Sequence, residues 1–210
     1  MKVLTAIVSG LLCTTGLLIA PASKGQQGPP MSTKPATITS TLDLQISIEE
    51  REIEGAADAM PEDKYSFAPT NGEFKGVRTF AQEVKHIATV NNRFFDAVLG
   101  QAPATSGSQF EAENGPDSIQ TKAQIMQYLK DSFALGHKAV ATINADNAFV
   151  AMEKPATPFL RTPAATVIFA CAHAMDHYGQ MVEYLRDNGI VPPASRQRPP
   201  ANPAGQSGQK

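Results

Sequence analysis

The amino-acid sequence predicts an all-α fold, a four-helix bundle with long connecting loops. Four segments of roughly 20 residues or more repeat apolar side chains at the three-and-four spacing of an amphipathic helix. No segment alternates apolar and polar residues cleanly enough to predict a regular strand. Several helices without a strong strand signal favour a bundle.

The first two helices have recognisable ends. The first is predicted over residues 42–60, and Pro61 ends it because proline cannot continue a helix. The second is predicted over residues 76–99, has the clearest apolar stripe and stops at Gly100. Both are long enough to form one side of a bundle.

The last two helices also have start or stop signals. The third is predicted over residues 118–144, with Asp117 or Ser118 as its N-cap. The fourth is predicted over residues 162–188, with Pro163 in its first turn. Its first half is apolar nearly all round, so we expect it to be the most buried helix.

Composition divides the chain into a leader, a linker, a folded part and a tail. Residues 23–40 and 192–210 are rich in small polar residues and proline, which predicts a disordered linker and a disordered tail. The folded part is predicted over residues 41–191. Within it, long loops are predicted at residues 61–75, 100–117 and 145–161. A short extended piece is predicted at residues 148–152, inside the last of these loops.

Residues 1–22 have the pattern of a signal peptide. Lys2 supplies a short positive region, an apolar run follows, and Ala20-Pro21-Ala22 fits a cleavage site. The sequence therefore predicts an exported protein, periplasmic or extracellular, with no stable membrane anchor after cleavage. One alternative is an uncleaved membrane anchor, for which the apolar run is barely long enough. Another is a lipoprotein at Cys13, where the preceding leucine is larger than such signals prefer.

Charge and cysteine content exclude several classes of protein. A formal charge of -2 and a pI of about 6.1 leave no basic stripe for a phosphate backbone, so nucleic-acid binding is not expected. Loss of the leader leaves Cys171 as a single thiol, which excludes an intramolecular disulfide. We expect this thiol to be buried rather than reactive.

His173 and His177 lie four residues apart on the fourth helix. This spacing puts both imidazoles on one helix face, where they can share a metal ion at about 2.0–2.1 Å from each nitrogen. The alternative is a pair of polar positions on a partly exposed face. The pair alone does not decide between the two.

His86 offers a third ligand from the second helix. It lies at the edge of the apolar stripe, close to Val90 and Phe94, so its side chain is expected to face inward or nearly so. Three neutral imidazoles would leave coordination positions open for water or substrate, as catalytic metal sites do. A core-edge histidine bonded to a neighbour is the alternative.

Other patterns in the sequence offer alternative interpretations of these residues. Glu83-Val-Lys-His86 is a Glu-x-x-His unit like those of ferritin-like di-iron bundles, but the sequence lacks the second unit that such sites need. The segment His173-Ala-Met-Asp176-His177 is similar to the inverted zinc-protease pattern, with Asp176 at the position where that pattern has Glu. His137, on the apolar stripe of the third helix, is predicted as a core histidine or as a further ligand or donor at the site.

The order of these motifs resembles the DinB/YfiT-like superfamily over residues 42–191. The stretch 60–69, Met-Pro-Glu-Asp-Lys-Tyr-Ser-Phe-Ala-Pro, precedes a helix with a histidine, and His173-Ala-Met-Asp-His177-Tyr-Gly-Gln180 closes the match. In that family one histidine of the second helix and an H-x-x-x-H pair of the last helix bind a metal. The resemblance implies a DinB-like bundle with His86, His173 and His177 as metal ligands, Gln180 as their neighbour, and a tendency to form homodimers.

The resemblance also implies one divalent metal ion and a metal-dependent enzyme acting on a small molecule. Some family members are thiol-dependent transferases or isomerases, but an exported protein is separated from the reducing thiol pool. Hydrolysis by metal-activated water, with Glu83 or Asp176 as general base, fits that location better. Imidazole accepts zinc, nickel or iron(II), and zinc is the default. The competing hypothesis is a non-catalytic module that binds a partner or a small apolar ligand.

Overall fold

The structure is a computed structural model and describes residues 35–101 and 112–196. Its main elements are α1 (Ile38–Ala59), α2 (Phe80–Val98), α3 (Lys122–Val140) and α4 (Pro163–Asp187). Short 3-10 turns lie at Glu62–Lys64, Ala112–Asn114 and Pro193–Ser195. No strand occurs within the described ranges. The predicted all-α four-helix bundle is confirmed.

The four helices pack in a ring. Both α1 and α2 pack against α3 and α4, so the order around the bundle is α1, α3, α2, α4. The core between them includes the fully buried rings of Phe80, Phe94, Phe95 and Phe133. Because α2 and α4 are neighbours in this ring, histidines far apart in the chain can meet between them. No helix in the described part of the chain has the length and apolar character needed to cross a membrane.

Capping boxes set where α1, α2 and α3 begin. In each box a threonine hydroxyl accepts the backbone N–H of the third helical residue, whose side chain accepts the threonine's own N–H. Because of these boxes, α2 begins at Phe80 rather than at the predicted residue 76. For the same reason α3 begins at Lys122 rather than directly after the predicted cap at Asp117 or Ser118. The paired residues are Thr37 with Ser40, Thr79 with Gln82, and Thr121 with Gln124.

The ends of α4 agree with the sequence. Thr162 is its N-cap, Pro163 is its first residue, and Asn188 is its C-cap. Gly189 follows with φ +72°, a left-handed conformation that glycine adopts without strain. These signals fix the register of the helix that carries two of the three predicted ligands.

The limits of the predicted linker and tail need correction. Residues 38–40 belong to α1 because the Thr37 capping box extends the helix toward the N-terminus. The turn Pro193–Ser195, predicted as tail, packs against α1, and the Arg186 guanidinium donates to Ser195 Oγ at 3.2 Å. The signal peptide over residues 1–22, the linker up to residue 34 and the tail from residue 197 lie outside the described residues.

The extended piece predicted at residues 148–152 is wrong. The segment instead forms turns, in which Ala148 N donates to Asn144 O at 3.0 Å and Val150 N donates to Asn147 O at 3.1 Å. Asn144 and Asn147 favour these turns because their side chains also accept or donate backbone hydrogen bonds nearby.

His137 links α3 to α1 and is neither a core residue nor part of the histidine cluster. Its Nδ1 lies 2.6 Å from Asp43 Oδ1 and its Nε2 lies 3.2 Å from Glu50 Oε2. Burial lowers the pKa of His137, but the hydrogen bonds and negative charges of the two carboxylates outweigh burial, so the pKa lies above its ordinary value of 6.5. The position on the apolar stripe was therefore misleading, because the ring turns toward acidic residues of α1.

The raised pKa makes this link dependent on pH. A histidine with a raised folded-state pKa stabilises the fold below its unfolded pKa, and the contribution disappears as the pH rises through the folded value. We expect His137→Gln to lower the free energy of unfolding by about 0.5–1 kcal/mol at about pH 6, and by less at about pH 9.

Urea unfolding of both proteins with a chelator present measures this difference. The other histidines are the same in both proteins, so their effects cancel in the comparison. An equal difference at both pH values would contradict the assignment to charged His137.

Candidate metal centre

His86 is held in the middle of α2 with its ring almost fully buried. The Thr79 capping box fixes the start of the helix, and His86 lies two turns further on with 3% of its surface exposed. Its Nδ1 donates to the backbone carbonyl of Glu113 at 2.9 Å. This bond places the ring proton on Nδ1 and leaves Nε2 as a free lone pair.

His173 and His177 project from α4 toward α2, one turn apart. His177 is buried, with 7% of its surface exposed, and His173 is half-buried. Nδ1 of His177 donates to the Glu83 carboxylate at 2.6 Å, so its Nε2 is also a lone pair when the ring is neutral. Nδ1 of His173 is buried and has no hydrogen-bond partner among the described residues.

The three Nε2 atoms converge on one point between α2 and α4. Nε2 of His173 lies 3.2 Å from Nε2 of His86 and 3.2 Å from Nε2 of His177. A tetrahedral cation at about 2.0–2.1 Å from each nitrogen would hold its ligands about 3.3 Å apart. All three histidines predicted as ligands are brought together, with their ligand atoms within 4.8 Å of one another.

The hydrogen bonds behind the rings are those that metal-bound histidines usually make. A ligating imidazole typically donates its second N–H to a carboxylate or a backbone carbonyl, which fixes its orientation and makes it a better ligand. Glu83 does this for His177, and the Glu113 carbonyl does it for His86. Two converging lone pairs repel unless a proton or a cation lies between them, so this donor set fits a bound divalent metal.

Burial keeps the imidazoles of His86 and His173 neutral, as metal binding requires. Burial, reinforced by the positive charge of Arg78, lowers the pKa of His86 to about 3. Burial, reinforced by His177, lowers the pKa of His173 to about 4. At neutral pH no proton has to leave these two rings before a metal can bind.

The 3-10 turn at residues 112–114 lies across α2 and completes this side of the site. Arg78 Nε donates to Asn114 Oδ1 at 2.7 Å, and Arg93 Nη1 lies 3.1 Å from Glu113 Oε1. These contacts hold the turn so that the Glu113 carbonyl meets His86. The role of Glu113 leaves no signal in the sequence, because Glu113 acts through its backbone carbonyl, which every residue has.

Glu83 contacts the Nδ1 side of His177, away from the point where the three Nε2 atoms converge. Its carboxylate is 1% exposed and bonded to His177 Nδ1, which suits a group that orients the imidazole better than a general base. Its position one turn before His86 is a signal that could have identified this role.

Asp176 and Gln180 lie beside the histidine pair on α4. Asp176 is exposed, and its Oδ2 accepts from Gln180 Nε2 at 3.4 Å. The same Gln180 nitrogen lies 3.4 Å from His177 Nδ1, so Gln180 is a neighbour of His177. Cys171 is buried and contacts Glu49 of α1, so it points away from the three imidazoles.

Aromatic side chains border the centre on the other side of His173. The Phe169 ring stacks on His173 with centroids 6.3 Å apart, and Phe159 meets Phe169 edge-on at 6.0 Å. Both phenylalanines are exposed, Phe159 at 69% and Phe169 at 37%. They form an apolar surface beside the half-buried His173.

Comparison with known proteins gives a family match and a fold match. The family model described as the DinB superfamily matches residues 45–181. The structure is similar to that of a conserved protein from Enterococcus faecalis, with a TM-score of 0.57, 15% identity, and coverage of 72% of this chain and 97% of that chain. It is also similar to a candidate member of the DinB family from Exiguobacterium sibiricum 255-15, with a TM-score of 0.51, 14% identity, and coverage of 74% and 95%. No curated protein matches the chain. At these identities the solved structures establish the fold alone.

Proposed function

The chain belongs to the DinB superfamily, and from this premise we propose that it is an exported, zinc-dependent enzyme that hydrolyses a small molecule. The resemblance drawn from the sequence is thereby confirmed at the level of the family. The export, the metal, the reaction and the substrate are our proposal.

The observation that carries the proposal is the convergence of three imidazoles, in which the Nε2 of His173 lies at tetrahedral ligand spacing from the Nε2 atoms of both other rings. Three protein ligands leave at least one coordination position open, which distinguishes catalytic metal sites from closed structural ones. A divalent cation held in this way lowers the pKa of water toward neutrality and polarises a carbonyl group.

The chain's own residues would then orient the ligands, bind the substrate and accept a proton. Glu83 and the Glu113 carbonyl hold two imidazoles in position. Asp176 is exposed beside the pair and, of the two carboxylates predicted as general base, is the one not bonded to His177. Phe169 and Phe159 offer an apolar surface for the non-reacting part of a substrate.

The proposal is tested with protein purified without an affinity tag, stripped by a chelator and then reloaded with zinc. We expect about one equivalent of zinc per chain, and hydrolysis of p-nitrophenyl acetate by the loaded protein but not by the stripped protein. His137→Ala is a matched control, because it removes an imidazole outside the cluster and should change neither result.

Failure to bind zinc would refute the metal centre. Equal hydrolysis with and without zinc would refute metal-dependent catalysis. Stoichiometric zinc without hydrolysis of this ester or of a panel of activated amides and esters would favour the non-catalytic module.

A further inference from the structure

A groove runs between α1 and α4 on the face of α4 opposite the three histidines. Its volume is about 430 Å³, within the range of about 300–1,000 Å³ that is usual for small-molecule sites. The walls are mostly apolar and include Leu42, Ile168 and Met175. Ile168 is 58% exposed at the rim, so the groove opens to solvent.

A buried carboxyl group lies at the floor of this apolar groove. Glu49 lines the groove although only 2% of its surface is exposed. Its Oε1 accepts from Gln45 Nε2 at 2.8 Å, and it also bonds the thiol of Cys171. No lysine or arginine is among the described residues that line the groove.

Glu49 therefore has acceptor capacity that no described residue uses. A carboxylate can accept about four hydrogen bonds, whereas Glu49 has an amide and a weakly donating thiol as partners. Burial raises its pKa above the ordinary value, because no described neighbour supplies a compensating positive charge. A cation delivered from solvent would both supply that charge and donate the missing hydrogen bonds.

We propose that the α1–α4 groove binds a primary ammonium compound with an apolar chain, its ammonium group on Glu49 and its chain along Leu42, Ile168 and Met175. Two of the three donors of an ammonium group match the roughly two acceptor positions left on the carboxylate, and the chain removes exposed apolar surface from water. Charge complementarity selects this occupant over a neutral lipid or an anionic one. The site is separate from the metal centre and does not depend on its occupancy.

The test is calorimetric titration of the full-length protein, with and without zinc, with octylammonium, and with octanol and octanoate as matched probes. We expect one saturable site for octylammonium, with affinity about tenfold or more above that for octanol, and no binding of octanoate. Glu49→Gln should reduce octylammonium affinity to the level of octanol, because it keeps the side-chain shape and removes the charge. Glu54→Gln, the same change elsewhere on α1, should leave affinity unchanged.

A second variant tests the groove without touching its buried acid. Ala172 is exposed on the groove wall, so Ala172→Phe should fold normally and block octylammonium by filling the space. Equal affinity for octylammonium and octanol, or unchanged affinity in Ala172→Phe, would overturn the proposal. So would sedimentation of the wild type as a dimer that Ala172→Phe converts to a monomer, since a second copy would then occupy the groove.

Discussion

His173→Ala is expected to remove bound zinc while leaving the zinc-free fold nearly as stable as the wild type. The imidazole supplies one of three converging Nε2 atoms, so its loss breaks the ligand set. Its Nδ1 has no hydrogen-bond partner among the described residues, so the substitution leaves no protein group unpaired at that nitrogen. Zinc content should fall from about one equivalent per chain to background.

His177→Ala is expected to remove zinc equally but to destabilise the zinc-free protein as well. It leaves the Glu83 carboxylate, 1% exposed, without the N–H that it now accepts. An unsatisfied buried polar group costs about 1–3 kcal/mol. Both variants should therefore lose zinc, but only His177→Ala should also lower the stability of the zinc-free protein. If either histidine served only in packing, this combination of effects would not occur.

Metal analysis and urea unfolding with and without zinc measure both effects. Zinc at about 100 times its dissociation constant should stabilise the wild type by about 2.7 kcal/mol and stabilise neither variant. Stoichiometric zinc in either variant would exclude that residue as a ligand. Equal apo stabilities of the two variants would exclude the structural role assigned to the Glu83 contact.

The number of helices could be predicted from the sequence because it depends on helical periodicity, and the family resemblance implied which three histidines meet. The apolar stripes gave α1 to α4, and the spacing of His173 and His177 placed them on one face of a single helix. The helix starts were less accurate, because several polar residues before each stripe can act as caps. The threonine three residues before a glutamine identifies the true start of α2 and of α3, and this signal was present in the sequence.

The partners of the ligands depend on tertiary contacts that periodicity does not encode. Glu83 and His177 are 94 residues apart, and only the packing of α2 on α4 joins them. The Glu113 carbonyl reaches His86 through a turn that Arg78 and Arg93 hold in place. For His137, periodicity was misleading. Its position on an apolar stripe predicted a core residue, but its side chain contacts carboxylates of α1.

Gly136→Ala is expected to destabilise the protein by about 1–3 kcal/mol, the usual cost of overpacking a core. Gly136 is buried in α3, where α3 packs against α2. A Cβ at this position would lie 2.7 Å and 2.9 Å from atoms of the Phe95 ring, closer than real carbon contacts allow. Phe95 is itself 2% exposed and has little room to move, so the overlap outweighs the gain of up to about 1 kcal/mol that alanine brings to a helix.

Gly179→Ala is the matched control, since the same change in α4 meets nothing within 4 Å. This position is exposed, so only the helix propensity changes, and we expect stabilisation by about 0.5–1 kcal/mol. The two variants should thus shift the midpoint of urea unfolding in opposite directions. A stabilising Gly136→Ala would mean that α2 and α3 can separate at little cost. In that case Phe95 would not fix the position of the helix that carries His86.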